Sequence, residues 1–320
     1  MKTLKVLCAL LSFGPFALGR DEEQVPLGVA PNITVLSPEK VKQWVVPAWY
    51  SAGVYCSSRS VAEWRCGPAC EALKKPKNIV VGGDGGHTPR FLVATLDPQT
   101  LIVAVAGTNA TSSESIDIDL DFKLVNAQDE HFPKAEDKGV LLHQGFYGAF
   151  QRIIPDIESA VDSGVRAGVK TVIVTGHSLG GAIGYLVGTY LKQRYTGTAV
   201  YVRTFAPPRV GNKAWADYVD DSFGLYAQHM VNFRDTVPHV PPRDWGYWRP
   251  SFEVWQLYDD KNHRRYWLCG GQENVDCSDQ IYSRGRELVL MSNFIFQFGV
   301  PEHLGPYVNV TLSSEECLEQ

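Results

Sequence analysis

Short β-branched or alternating apolar runs are separated in this chain by longer stretches in which apolar residues recur every three or four positions. The two periods predict strands and helices in turn. Asn78 to Val81, Arg90 to Asp97 and Leu101 to Ala106 read as strands. Tight turns join them, the first through Gly82-Gly83-Asp84-Gly85-Gly86 and the second through Asp97-Pro98-Gln99-Thr100, which makes an antiparallel meander. The glycine-rich turn lacks a P-loop lysine and a following helix, so it is read as a hairpin turn and not as a phosphate cradle. His143 to Gly164 predicts a helix, Thr171 to Thr175 (TVIVT) a strand, Leu179 to Tyr195 a long helix and Thr198 to Phe205 the next strand. Strand, helix, strand in succession implies a right-handed parallel crossover. The expected fold class is therefore α/β, with a mostly parallel central sheet, helices on both faces and antiparallel strands early in the chain.

Two other segments carry patterns of their own. Pro26 to Pro38 reads as a surface arm leading to a first helix near Ser37 to Tyr50, opened by Ser-Pro-Glu. Asn109 to Phe122 (NATSSESIDIDLDF) alternates Ile116, Ile118 and Leu120 with Asp117, Asp119 and Asp121, which is the period of a strand.

At 320 residues, 44% hydrophobic and with eight tryptophans, the chain has enough apolar content for a large core. No repeat or low-complexity linker divides residues 20–320, which are expected to form one domain. Residues 1–19 carry Lys2 and Lys5, then an apolar stretch, then Ala17-Leu18-Gly19, and read as a secretory signal peptide too short to span a membrane. A net charge of −5 leaves no basic excess, so nucleic acid is not an expected partner.

Cysteine usage agrees with an extracellular destination. Apart from Cys8 in the leader, the cysteines are Cys56, Cys66, Cys70, Cys269, Cys277 and Cys317, an even set. The expected pairs are Cys66 with Cys70 and Cys269 with Cys277 as local bridges, leaving Cys56 for Cys317. The spacings do not form paired CxxC knuckles and no HExxH is present, so zinc is not expected. In a secreted chain the sequons at Asn32, Asn109 and Asn309 are glycosylation candidates.

The candidate chemistry sits at Gly176-His177-Ser178-Leu179-Gly180, between the Thr171 strand and the Leu179 helix. A serine on such a turn has a strained backbone, and glycines two positions to either side let it approach the neighbouring strand and helix. Ser178 is the expected nucleophile. A serine hydroxyl needs an imidazole to take its proton, and the imidazole needs a carboxylate to fix its tautomer. On such sheets the acid and then the histidine follow the serine. Asp235 follows the predicted strand Ala227 to Phe233 and is favoured over Asp244, Asp259 and Asp260, which lie in more polar loops. His303 lies in a loop fenced by proline and glycine, with His239 and His263 as alternatives. Gly107-Thr108 ends the Leu101 strand, so the amides of Thr108 and Leu179 are candidates for an oxyanion hole.

Gly107-Thr108, the Gly176 to Gly180 turn, FAPPRVGN from Phe205 to Asn212, NFRDTVPHVPP from Asn232 to Pro242, and His303-Leu304-Gly305-Pro306-Tyr307 together resemble the secreted fungal class 3 lipases. The resemblance runs from about Trp44 to Tyr307 in the family's order. It implies an α/β-hydrolase fold with a lid, Ser178, Asp235 and His303 as catalytic triad, and Thr108 with Leu179 as oxyanion hole. Trp64-Arg65-Cys66-Gly67, Leu142 to Phe146 and the Cys269 to Cys277 segment look closest to the mono- and diacylglycerol lipase group. The implied substrate is an acylglycerol ester at a lipid–water interface, cleaved without metal, organic cofactor or obligate protein partner. The segment after Gly107-Thr108 departs from the family's amphipathic lid in being acidic, which keeps a second expectation open, an esterase for soluble or phenolic (feruloyl-type) esters. A noncatalytic binding protein on a hydrolase scaffold is the alternative of another class, and it has no need of a serine, acid and histidine in this order.

Overall fold

The structure, a computed structural model, describes residues 32–259, 261, 263–282, 301–313 and 317. The expected leader, 1–19, lies outside them. From the N-terminal side come strand β1 (Ile33–Val35) and helices α1 (Pro38–Lys42), α2 (Val45–Gly53), α3 (Ser58–Glu63) and α4 (Pro68–Ala72). The meander follows as β2 (Lys77–Gly82), β3 (Phe91–Asp97) and β4 (Thr100–Val105), then α5 (Ser113–Leu120) and the short strands β5 (Leu124–Asn126) and β6 (Leu141–His143). Next are α6 (Gln144–Arg166), β7 (Thr171–His177), α7 (Leu179–Arg194), β8 (Ala199–Phe205), α8 (Lys213–Phe223), β9 (Ala227–Asn232), β10 (Glu253–Tyr258) and β11 (Arg264–Cys269).

Nine of these strands form one sheet in the order β1-β11-β10-β9-β8-β7-β4-β3-β2. Pairing is parallel from β4 through β10 and antiparallel at both margins. The parallel strands are covered on both faces, as such strands must be to bury continuous apolar runs. On one face α6 presents Phe146, Phe150, Ile153, Ile157 and Val161, and α7 is buried almost all round between the sheet and its neighbours. On the other face Trp44, Ala48 and Tyr50 pack with Cys56, Cys66 and Cys70 over Leu92, Ile102 and Ala104. Each large apolar side chain so buried contributes about 1.5–3 kcal/mol of transfer free energy.

Three local expectations are corrected. The helix expected over Ser37 to Tyr50 is two helices, parted at Gln43 and Trp44. A continuous helix would place Pro47, which has no N–H, where a donor to Gln43 is required. Breaking the helix lets Trp44 turn inward, almost fully buried and edge-on to Phe205. The arm from Pro26 to Pro38 contains β1, whose Ile33, Thr34 and Val35 pair with Cys269, Leu268 and Trp267.

The third correction concerns Asn109 to Phe122. Its alternation predicts a strand, yet residues 113 to 120 form α5, with the Ser112 side chain accepting from Ser115 N–H as N-cap. The inward residues are Ser115, Ile118 and Asp119, at helical spacing. An acid occupies the inner face while Leu120 is exposed, so polarity does not track the helix period.

Candidate active site

Ser178 occupies the junction of β7 and α7 with φ 58° and ψ −130°, a conformation that costs a residue with a Cβ about 1–3 kcal/mol. The surroundings over-determine it. Ser178 N–H donates to the Phe205 carbonyl at 2.9 Å. A side chain at Gly176 would run into the Gly180 and Val105 carbonyls, and one at Gly180 into the backbone of Val105 and Ala106. The turn can be this tight only with glycine at both positions.

Asp235 lies just past the carboxyl end of β9, fully buried. Its Oδ1 accepts from Val237 N–H at 3.0 Å. Its Oδ2 accepts from His303 Nδ1 at 2.9 Å and from the Tyr307 hydroxyl at 3.0 Å. A carboxylate only accepts, so the proton of His303 is on Nδ1 and the Nε2 lone pair is free for Ser178 Oγ, 2.9 Å away. Burial first, and the facing Asp235 second, push the Tyr307 phenol well above its ordinary range, so it remains a donor. His303 belongs to a one-turn helix, Pro301–Leu304, and the chain around it is held by side chains of the sheet. Asn232 donates to the Glu302 carbonyl at 2.8 Å, while Gln256 donates to the Pro306 carbonyl at 2.8 Å and accepts from Val308 N–H at 3.2 Å.

Among the described alternatives, His239 and Asp259 are engaged elsewhere. His239 is fully buried against Asp279, and burial lowers it to about 4. His263 donates its backbone N–H to Asp259, Asp244 is exposed, and Asp260 lies outside the described residues.

Thr108 lies just past the end of β4, whose Val105 pairs with Gly176 of β7, and Leu179 is the first residue of α7. Leu179 N–H lacks an intrahelical acceptor by its position. Among the described residues neither amide has a hydrogen-bond partner. Both are thus free to face negative charge at the serine.

Asp119 went unassigned in the sequence. The Thr108 hydroxyl donates to its Oδ2 at 2.7 Å, and Asn109 N–H donates to Ser115 Oγ at 2.9 Å, so α5 is tied to the strand end carrying Thr108. Burial pushes the Asp119 carboxyl up to about 7, against the opposing influence of the Thr108 hydroxyl and of His303. Arg209, quoted in FAPPRVGN without a role, forks onto Glu273 with contacts of 2.8 and 2.9 Å. It also donates to the carbonyls of His239 and Pro241, in the loop that follows Asp235.

The disulfides are Cys56–Cys317, Cys66–Cys70 and Cys269–Cys277. Buried Glu253 lies beside Cys269 and Cys277, but the two sulfurs are bonded to each other and offer no thiolate to a metal. Asn32 and Asn309 are exposed, whereas Asn109 is half-buried, its amide donating to the Gly85 carbonyl at 3.1 Å and its Oδ1 accepting from Thr111.

A strained serine between a parallel strand and a helix, with a histidine and a buried acid in line behind it, defines a serine hydrolase of the α/β-hydrolase class. Residues 102–245 match the family described as lipase, class 3. A secreted mono- and diacylglycerol lipase of Malassezia globosa is 30% identical over 238 residues, covering 72% of this chain and 69% of that protein. A lipase of Rhizopus niveus is 30% identical over 260 residues, covering 78% of this chain and 62% of its own length. The solved structure of lipase II from Rhizopus niveus superposes with a TM-score of 0.70 at 28% identity, over 88% of this chain and 99% of that one. The chain belongs to the class 3 lipases.

Proposed function

We propose that this protein is a secreted lipase that cleaves acylglycerol esters through an acyl-enzyme. The observation that carries the reading is the line of three side chains, Ser178 Oγ to His303 Nε2 at 2.9 Å and His303 Nδ1 to Asp235 at 2.9 Å. Ser178 Oγ attacks the ester carbonyl as its proton passes to His303 Nε2. The tetrahedral oxyanion lies against the amides of Thr108 and Leu179, each worth about 3 kcal/mol in comparable sites. The alcohol departs with the proton from His303, water attacks the acyl-serine by the same relay, and the fatty acid leaves. Helix α5 acts as the lid. Its tie to Thr108 through Asp119 makes its position matter to the oxyanion donor. The name of the Malassezia globosa relative supports mono- and diacylglycerols as substrates and secretion as the destination.

A second reading, an esterase for soluble esters, is favoured by the outer face of α5, where Ser113, Glu114 and Asp117 are exposed. An acidic face is a poor match for an oil surface. Rates on tri-, di- and monoacylglycerols beside methyl ferulate separate the two. A rate that jumps above the solubility limit of a short acylglycerol supports the lipase, and simple saturation with methyl ferulate preferred overturns it.

A further inference from the structure

The residue between Gly176 and Ser178 is a buried histidine that does not touch the serine hydroxyl. His177 is 1% exposed, and its Nε2 lies 2.8 Å from the backbone carbonyl of His303. A carbonyl only accepts, so Nε2 carries the proton. In the neutral ring Nδ1 must then be an acceptor, and its partner is the Tyr55 hydroxyl at 2.7 Å. Burial, with His303 acting in the same direction, holds His177 far below the ordinary imidazole range, so the ring is uncharged. Burial likewise raises the Tyr55 phenol beyond any working pH, so it always has a proton to give.

Tyr55 reaches a third element. The Gly107 N–H faces its phenol oxygen, and a side chain at Gly107 would collide with that oxygen and with the His177 carbonyl. The hydroxyl therefore stands where the strand end bearing Thr108, the turn bearing Ser178 and the loop bearing His303 converge. The residue after Tyr55 is Cys56, whose disulfide to Cys317 fastens this stretch to the chain beyond His303.

The chemistry of the site gives the uncharged state a purpose. The rings of His177 and His303 are 4.5 Å apart between centroids. When His303 takes the serine proton, a charged neighbour at that distance would oppose it, whereas a neutral ring whose N–H is spent on the His303 carbonyl does not. Only one tautomer of His177 permits that bond. The His303 carbonyl selects it, because the other tautomer would set two lone pairs against each other there, and the Tyr55 hydroxyl completes the arrangement by donating to Nδ1.

We propose that Tyr55 and His177 are positioning residues, in which the Tyr55 hydroxyl donates to Nδ1 of His177 and holds its ring so that the Nε2–H fixes the backbone of His303 against Ser178. The proposal rests on the reading of Ser178 and His303 as nucleophile and base. Neither residue touches the reacting atoms.

The test uses a soluble short-chain ester with the full-length protein. A fluorophosphonate is applied to the wild type first, and failure to label Ser178 would remove the underlying reading itself. With labelling established, Tyr55→Phe keeps the ring and loses one hydrogen bond, and is expected to lower kcat about tenfold with KM unchanged. His177→Leu is expected to lower kcat further, about a hundredfold, and His177→Gln, whose amide can still donate to the His303 carbonyl, to recover about a tenth or more of the wild-type rate. Wild-type kcat in Tyr55→Phe, or equal loss in His177→Leu and His177→Gln, overturns the relay. Should the variants not fold, ¹⁵N spectra of histidine-labelled wild type decide. A neutral His177 protonated on Nε2 supports the proposal, and the Nδ1–H tautomer or an imidazolium overturns it.

Discussion

The hydroxyl of Thr108 donates to the buried carboxyl of Asp119 across 2.7 Å, so one hydrogen bond joins the strand end that carries the proposed oxyanion donor to helix α5. Asp119 is the only aspartate of the acidic run from Asp117 to Asp121 to be buried, and its burial raises it to about 7. Its folded value exceeds its unfolded value. The hold it gives α5 is therefore complete below the ordinary aspartate range near pH 4 and is lost as pH rises through about 7. The ceiling on that change is roughly 4 kcal/mol.

The first expected outcome is a lid that loosens with alkalinity. Amide exchange of residues 113 to 120, corrected for intrinsic chemistry, should accelerate as pH passes 7. Asp119→Asn, neutral at every pH and still able to accept from Thr108, should flatten the profile. Identical profiles in the two proteins would refute the assignment.

The second concerns strain at Ser178, the proposed nucleophile. Ser178→Ala should lower kcat by about a millionfold while leaving the unfolding temperature unchanged, because alanine inherits the same φ of 58°. Ser178→Gly should be equally inactive and more stable than wild type by about 1 kcal/mol, since glycine accepts that backbone freely. Ester hydrolysis and thermal unfolding measure both. A destabilised Ser178→Gly would show that the turn is not strained.

The third tests the acid. Tyr307→Phe removes one of the two donors to Asp235 Oδ2 and keeps the ring. The expected result is a kcat lower by about tenfold, an unaltered KM and a stability loss of about 1–2 kcal/mol in urea. Unchanged turnover would mean that His303 and Val237 hold the carboxylate without help.

The fourth concerns Arg209, fully buried and forked onto Glu273. Arg209→Met leaves a buried carboxylate short of its partner and should cost about 3–5 kcal/mol in urea unfolding. Arg209→Lys retains the charge but not the fork, so it should fall between the two. If lysine matched arginine, the planar geometry would be irrelevant.

The fifth ranks two disulfides by the chain each one closes. Cys56–Cys317 spans 261 residues and Cys66–Cys70 spans 4. Chain entropy alone gives about 5.6 kcal/mol for the first and about 2 kcal/mol for the second. Paired serine substitutions and denaturant titration should reproduce the order, and the reverse order would point to native-state contacts as the dominant effect.

What could be read from the sequence follows a physical division. β7, α7 and β8 were legible because their apolar runs face a core on more than one side, leaving no ambiguity of period. Ser178 and Asp235 were suggested by chain order and turn chemistry, whereas His303 stood beside His239 and His263 until the family resemblance singled it out. Helix α5 was not, because Asp119 points inward and its compensation comes from Thr108, eleven positions back and on another element. Tyr55 was invisible for a similar reason: its partner His177 is 122 positions away, and an isolated tyrosine carries no periodic signature. Strand β1 was hidden in a proline-rich arm whose pairing is decided by β11, more than two hundred residues later.

That three-residue strand has a consequence of its own. β1 caps the margin of the nine-stranded sheet, and two of its three side chains are exposed. Were the chain trimmed past Leu36, the amides and carbonyls of β11 would become an open rim onto which the same strand of a neighbouring molecule can add. Colloidal behaviour on storage, and not turnover, is where damage to this end of the chain would first be felt.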